Sequence, residues 1–308
     1  MKLLVINNLA SGNTGEGVYE FVRAFAQDGD EVCMRTTDGT TDIAELMADA
    51  TDFDAVVASG GDGTAAAVNF LLADTGTPVL PFPAGTANLL VNNLALPGEP
   101  HALAKVVREG RTLDFDLGRI ELPDRQLGFL LIAGAGYDAA IMRGAEPMKP
   151  VLGQMAYFSS AAANALTKPS HLTLTLDGQT IERDGMGLLV VNFSQLQYDV
   201  SITHVNEPRD GMFDVVVLKA HNAFELIPAV LAALLDRSGD FPDRPESLEI
   251  HRAKELRVEA DPPLEVQYDG EPTGLTTPFS AHILPHAARL LVSEEGLKAF
   301  GAREGEKA

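Results

Sequence analysis

Tryptophan is absent, cysteine occurs once, and lysine and arginine together number 23 against 44 acidic residues in a chain of 308. Each shortage excludes something. One thiol, Cys33, permits neither an intrachain disulfide nor a cysteine-cluster metal site, and it fits a reducing cytoplasm. A formal charge of −21 leaves no basic surplus to release counterions from a phosphate backbone. That argues against nucleic acid as a main partner and against electrostatic docking on anionic lipid. The acidic balance is either a solubility device or the mark of a salt-adapted cytoplasm. Long apolar runs are missing as well. The longest candidate, Ala223 to Leu235, carries Glu225 and Pro228, so no transmembrane segment is expected. Met1 to Ile6 is too short for a signal-peptide core, is interrupted by Asn7-Asn8, and reads better as a first strand.

What is present is an ordinary globular composition, 45% hydrophobic, in a chain long enough for two domains. Its most informative stretch is Gly60-Gly61-Asp62-Gly63-Thr64, entered from Ala55-Val56-Val57 and left through Ala65-Ala66-Ala67-Val68. The pattern predicts strand, tight turn and helix start. Three glycines in four positions let successive amides turn toward one anionic guest at a helix N-terminus. A bare carboxylate in that turn repels phosphate unless a divalent cation lies between them or a substrate hydroxyl donates to it. Asp62 therefore points to metal-assisted phosphoryl transfer, with helix capping as the plain structural alternative.

The same β-loop-α rhythm recurs around it. Lys2 to Ile6 precedes the polar loop from Asn7 to Gly17, and Val18 to Gln27 has helical spacing. Glu31 to Arg35 predicts a second strand, Asp42 to Ala50 a helix capped by Asp42, and Pro78 to Phe82 a further strand. The latter runs into Pro83-Ala84-Gly85-Thr86-Ala87-Asn88, and helices follow toward Leu94 and over Pro100 to Glu109. Such alternation implies a parallel sheet, whose post-strand loops lie at its carboxyl edge. Loops carrying Ser11, Asp62 and Thr86 are thus expected to converge on one crevice. Capping of the following helix by Thr86 or Asn88 is compatible with ligand contact.

From about Arg111 the texture changes to period-two alternation, as in Leu113 to Leu122, His171 to Leu176 and Phe213 to Lys219. Asp177-Gly178, Asp184-Gly185 and Asp210-Gly211 are hairpin-turn dipeptides. An antiparallel β-sandwich is expected, interrupted by helical insertions near 153–166 and 223–235, with a last strand over Arg289 to Val292. Glu294 to Phe300 predicts a terminal helix. The fold expected is α/β plus all-β, an N-terminal Rossmann-like nucleotide-binding domain over 1–118 and a β-sandwich over 119–292. The segment 293–308 is a candidate to rejoin the first domain.

Taken in order, these elements resemble the diacylglycerol kinase catalytic family, which also includes sphingosine and ceramide kinases and bacterial soluble lipid kinases. The resemblance runs from Asn8-Leu9-Ala10-Ser11-Gly12 through the Gly60 to Thr64 loop, Pro83 to Asn88 and Phe115-Asp116-Leu117-Gly118. It continues through Phe129 to Ala139, Pro208 to Val215 and Tyr268-Asp269-Gly270-Glu271. Each match is short, and seven in order over most of the chain are specific.

The resemblance implies ATP on the first domain, Mg²⁺ as cofactor, and a lipid alcohol as acceptor in the interdomain cleft. Asn8, Ser11, Gly12, Thr37, Gly60, Gly61, Asp62, Gly63, Thr64, Gly85, Thr86 and Asn88 would contact nucleotide. Glu271 would be the general base, with Asp62 the competing candidate; Asp116 and Asp269 would share metal or base duty. Considered alone, Asp269-Gly270-Glu271 is also a common hairpin turn. Asp210, with the carbonyls of Glu207 and Met212, matches a structural magnesium site. Asp138 is either a headgroup contact or a buried hydrogen-bonded Asp. The implied location is cytoplasmic, with peripheral attachment at the inner membrane surface as the route to lipid, and a homodimer is compatible with the sequence. Ala66-Ala67 and Leu89 depart from the family pattern, Leu89 by removing a carboxylate beside the implied cation. Related phosphotransfer to NAD and non-catalytic nucleotide or lipid binding are the alternative functions. Asp62→Asn is expected to abolish transfer and leave the thermal melt within a few degrees.

Overall fold

A computed structural model describes residues 1–12, 16–136, 169–193, 207–220 and 247–301. The chain divides into two units, Met1–Leu117 with His286–Ala308, and Gly118–Pro285.

The first unit is α/β. Strands β1 (Lys2–Asn8), β2 (Glu31–Thr37), β3 (Ala55–Gly60) and β4 (Val79–Pro83) lie in the order β2-β1-β3-β4, every pairing parallel. Leu3, Leu4, Val5 and Ile6 are all fully buried, which explains an apolar run without alternation: helices cover a parallel sheet on both faces. Helix α1 (Glu16–Phe25) buries Val18, Phe21 and Phe25, and Phe21 meets Phe82 edge-on at 5.6 Å. Helix α2 (Ile43–Leu46) is shorter than the spacing suggests. Asp42 caps it by accepting from the Ala44 amide, but the helix gives way to a 3-10 turn over Ala50–Asp52. Helices α3 (Asp62–Leu71), α4 (Leu89–Asn93) and α5 (Pro100–Glu109) follow, the last closed by Gly110 at φ 62°.

The chain leaves this unit within β5 (Thr112–Glu121) and returns within β16 (Phe279–Leu291). The second half of β16 runs parallel to β4, with Leu290 opposite Val79, so the return begins at His286 and not at residue 293. Helix α6 (Glu294–Phe300) ends the described chain. Its N-cap Ser293 accepts from the Gly296 amide and donates to the Ala95 carbonyl, each at 3.0 Å.

The second unit is antiparallel. One of its sheets has the order β12 (Leu248–Ala253), β11 (Phe213–Leu218), β10 (Gly187–Val191), β7 (Ile132–Gly136), β14 (Glu265–Tyr268), β15 (Glu271–Thr276). Facing strands are β8 (Ser170–Leu176), β9 (Gln179–Gly185), β13 (Glu255–Asp261) and the first half of β16, with β6 (Gln126–Phe129) paired to β5. Leu172, Leu174, Leu256, Val258 and Phe279 from one layer share a core with Ala133, Val190, Phe213, Val215 and Val266 from the other. Phe129 and Phe213 stack at 5.4 Å within it. A β-sandwich results, because each strand turns alternate side chains inward.

Asp177 and Gly178 have φ of 47° and 83°, the primed-turn geometry expected between β8 and β9. Asp184-Gly185 makes no turn; it lies within β9, because Asp184 and Gly185 continue the ladder opposite His171 and Ser170. The insertions expected near 153–166 and 223–235 fall outside the described residues. Among the described residues no helix is long and apolar enough to cross a membrane.

Candidate active site

In the order β2-β1-β3-β4 the direction of winding reverses between β1 and β3, so the crevice for a ligand opens at the carboxyl ends of those two strands. Polar residues hold the edge together there. Asn7, buried at the end of an apolar strand, accepts from Ser59 Oγ at 3.0 Å, directly across the β1–β3 register. Asn8 faces the other way. Its Nδ2 donates to Thr64 Oγ1 at 3.0 Å and its Oδ1 accepts from the Ala10 amide, which turns the first loop. Thr37 is buried beside it: its carbonyl accepts the Leu9 amide at 2.8 Å and its Oγ1 accepts the Gly39 amide at 3.0 Å.

The three glycine-bearing loops meet pairwise. Asn8 joins the first to the second through Thr64. A Cβ on Gly85 would stand 2.5 Å from Gly61 Cα, so the third loop lies against the second at a distance only glycine permits. A Cβ on Gly12 would stand 3.0 Å from Thr86 Oγ1, which brings the first loop to the third. Thr86 is exposed at this junction, and Ser11 is half-buried, its amide bonded to the Asn8 carbonyl. Asn8, Ser11, Gly12, Thr37, Gly60, Gly61, Asp62, Gly63, Thr64, Gly85, Thr86 and Asn88 thus occupy one set of adjoining loops.

Asp62 is the first residue of α3, yet it does not cap that helix. Gly61 is the N-cap and supplies no side chain, so no N-cap side chain covers the electropositive start of α3. The Asp62 carboxylate instead reaches the start of α4, where Oδ1 accepts the Leu90 amide at 2.9 Å and Oδ2 the Leu89 amide at 3.1 Å. Asn88, at φ 51°, bends the chain into that position and locks it by exchanging two 2.9 Å hydrogen bonds with the backbone of Gly85. Burial pushes the Asp62 carboxyl above its ordinary range, against the pull of the two amides.

In the second unit Asp269 and Gly270, at φ 43° and 82°, are the central residues of a primed turn, and Glu271 follows it. The two acids have different surroundings. Asp269 is buried, and its two oxygens accept the consecutive amides of Leu130, Leu131 and Ile132 at 2.8 to 2.9 Å. A carboxylate in such a nest anchors the β6–β7 connection. Glu271 is exposed at the head of β15, opposite Tyr268. Burial first, then the charges of Glu271 and Asp269, push the Tyr268 hydroxyl up.

Asp116 is fully buried in β5, where its Oδ1 accepts the His286 amide at 2.8 Å and fixes the left-handed residue of β16 at φ 56°. Two positions on, a Cβ at Gly118 would meet the Phe129 ring at 2.2 Å, so this Asp-x-Gly element has a packing reason at both ends. Asp210 lies elsewhere, in the turn before β11, together with exposed Glu207 and half-buried Met212. Asp138 falls outside the described residues. Among the described residues no three His, Cys, Asp or Glu side chains form a metal-binding group. Sequence reasoning missed the Asn7–Ser59 pair and the α4 amides as the partners of Asp62. The first had a signal, an Asn closing an apolar strand; the second depends on a contact between positions 27 and 28 apart.

A parallel sheet with glycine-rich loops gathered at its switch point, followed by an antiparallel sandwich, is a two-unit fold of definite type. Comparison with known proteins agrees. The diacylglycerol kinase catalytic domain model matches residues 2–120, and the YegS C-terminal NAD kinase beta sandwich-like domain model matches 132–292. The chain belongs to the diacylglycerol kinase catalytic-domain family, with a YegS-type second domain. It is 27% identical over 274 residues to the diacylglycerol kinase of Bacillus subtilis, covering 83% of this chain and 84% of that one. It is 26% identical over 249 residues to an uncharacterised protein of Synechocystis sp., matching 78% of this chain and spanning only 55% of that relative's length. A crystal structure of a diacylglycerol kinase from Bacillus anthracis superposes with a TM-score of 0.67 at 18% identity, covering 96% and 97% of the two chains, and supports the fold.

Proposed function

We propose that this protein is an ATP- and Mg²⁺-dependent kinase that transfers the γ-phosphate to the hydroxyl of a lipid alcohol such as a diacylglycerol, a sphingoid base or a ceramide. The observation that carries this reading is the meeting of three glycine-bearing loops around the uncapped N-terminus of α3, with the Asp62 carboxylate beside it. Phosphoryl transfer asks little covalent chemistry of a protein; alignment and neutralisation of charge supply most of the catalysis. A helix N-terminus such as that of α3 suits phosphates, and the exposed Thr86 hydroxyl is a further donor at the junction of the loops.

Asp62 is the carboxylate this edge offers a cation, and Mg²⁺ is commonly held by one or two carboxylates together with substrate phosphates. Each Asp62 oxygen accepts one neutral amide and keeps a second lone pair, so Asp62 would contribute a single ligand to a metal held chiefly by the nucleotide phosphates. When bound, Mg²⁺ would neutralise phosphate charge. The acceptor hydroxyl oxygen forms the new bond to phosphorus as the bond to the ADP oxygen breaks, and its proton passes to a carboxylate. Exposed Glu271 is our assignment for that base. Asp62, with its raised pKa, is the competing one.

Incubation with labelled ATP, Mg²⁺ and a panel of diacylglycerol, sphingosine, ceramide, prenol and NAD tests the proposal. Label in one lipid supports it, label in NAD alone replaces it with a nucleotide kinase, and label in no acceptor leaves a binding protein.

A further inference from the structure

The family resemblance implies a structural magnesium site at the turn before β11, with Asp210 as its carboxylate. The residues present do not leave that carboxylate to a metal. Asp210 Oδ1 accepts the Met212 amide at 2.9 Å, an Asx-type turn that sets Gly211 at φ 72°. Asp210 Oδ2 is paired with the Arg252 guanidinium. Arg252 stands on β12 directly opposite Asp214, and its Nε lies 3.5 Å from Asp214 Oδ1. One guanidinium therefore bridges the carboxylates of the turn and of the strand that follows it.

We infer that Arg252 is a built-in replacement for the divalent cation at this turn. The electrostatics are those of a metal site. Asp210 and Asp214 repel each other, and a cation between them relieves the repulsion and ties the turn to the sheet. A planar guanidinium with five donors suits that task. It also competes with Mg²⁺, which needs oxygens at about 2.0–2.1 Å in octahedral array and would have to displace the half-exposed Arg252 guanidinium from the Asp210 carboxylate. The tie has a structural consequence. Phe213, next after Met212, is fully buried and stacks on Phe129, so the turn sets where a core aromatic enters the sandwich.

The test uses thermal melts of the full chain without nucleotide, in EDTA and in millimolar Mg²⁺, so its result is independent of kinase activity. The wild-type melt is expected to be the same in both. Arg252→Ala should melt lower in EDTA by on the order of 2–4 °C, as expected for about 1 kcal/mol in a chain of this size. Mg²⁺ should restore most of that loss, and should restore none of it in the Arg252→Ala/Asp210→Asn double variant. A wild-type melt raised by Mg²⁺ through an effect that Asp210→Asn abolishes would overturn the inference, since a metal would then hold the turn already. It is equally overturned if Arg252→Ala melts like wild type in EDTA, or melts lower and gains nothing from Mg²⁺.

Discussion

Asp62 opens one helix and holds the next: its carboxylate accepts the amides of Leu89 at 3.1 Å and Leu90 at 2.9 Å, at the N-terminus of α4. The residue that resembles the signature acid of the family is thereby also a strap between the second and third loops. A carboxylate can accept both amides at once. An Asn has one acceptor oxygen and turns its NH₂ toward the other amide, leaving a partly buried donor unsatisfied, at a cost of about 1–3 kcal/mol.

Asp62→Asn should therefore abolish transfer and also lower the melt, by roughly 2–4 °C for each kcal/mol lost, so a drop beyond a few degrees follows if the cost lies in the upper part of that range. Scanning calorimetry beside the labelled-ATP assay checks both. Loss of transfer with an unchanged melt would mean that the strap contributes nothing to stability.

Gly85 makes a second demand on the same junction. A Cβ there would meet Gly61 Cα at 2.5 Å, backbone against backbone, with no flexible side chain to move aside. Gly85→Ala should part the two loops and cost about 1–3 kcal/mol of stability; on the proposed function it should also weaken ATP binding in calorimetric titration. Gly98→Ala is the control. Nothing lies within 4 Å of a Cβ at Gly98, and the effect there should stay within about 0.5 kcal/mol.

In the second unit, Glu249 on β12 gathers Arg183 at 2.7 Å, His251 at 2.7 Å and Lys219 at 3.4 Å. The Arg183 guanidinium, above all, holds the Glu249 carboxyl down to about 2. A carboxyl whose pKa falls on folding stabilises the native state above its unfolded value, near 4.5, and the contribution disappears as pH drops toward 2. Glu249→Gln should lower the urea midpoint at pH 7 by the equivalent of about 1–2 kcal/mol, and the gap from wild type should narrow at pH 3. A gap independent of pH would show that packing, and not charge, is what the side chain supplies.

Sequence alone reveals much of the first unit, because its rules are local. An apolar run buried on both faces, a glycine-rich turn and a helix cap are written in neighbouring residues, as at Val5, Gly61 and Asp42. Convergence of the Ser11, Asp62 and Thr86 loops follows from parallel topology. What eludes sequence is contact across distance. Nothing near Asp116 announces that it holds His286, 170 positions away, and nothing near Asp210 points to Arg252, 42 positions on. Asp184-Gly185 shows the converse failure. The dipeptide has turn propensity, but pairing with Ser170 and His171 outweighs it.

The Asp269-Gly270-Glu271 turn offers the sharpest separation of structure from chemistry, because two acids two positions apart have opposite surroundings. Asp269 is buried and holds three consecutive amides, so Asp269→Asn loses an acceptor that the Leu130 to Ile132 connection requires. It should cost about 2–3 kcal/mol in a urea titration. Glu271 is exposed at the head of β15, where a neutral isostere should be tolerated. If Glu271 takes the acceptor's proton, Glu271→Gln should slow transfer by about 10²–10⁴-fold while the urea midpoint stays at the wild-type value. Because a base must be ionised to act, the residual rate should also lose the acidic limb of the wild-type pH profile. Full activity in Glu271→Gln would remove Glu271 as the base.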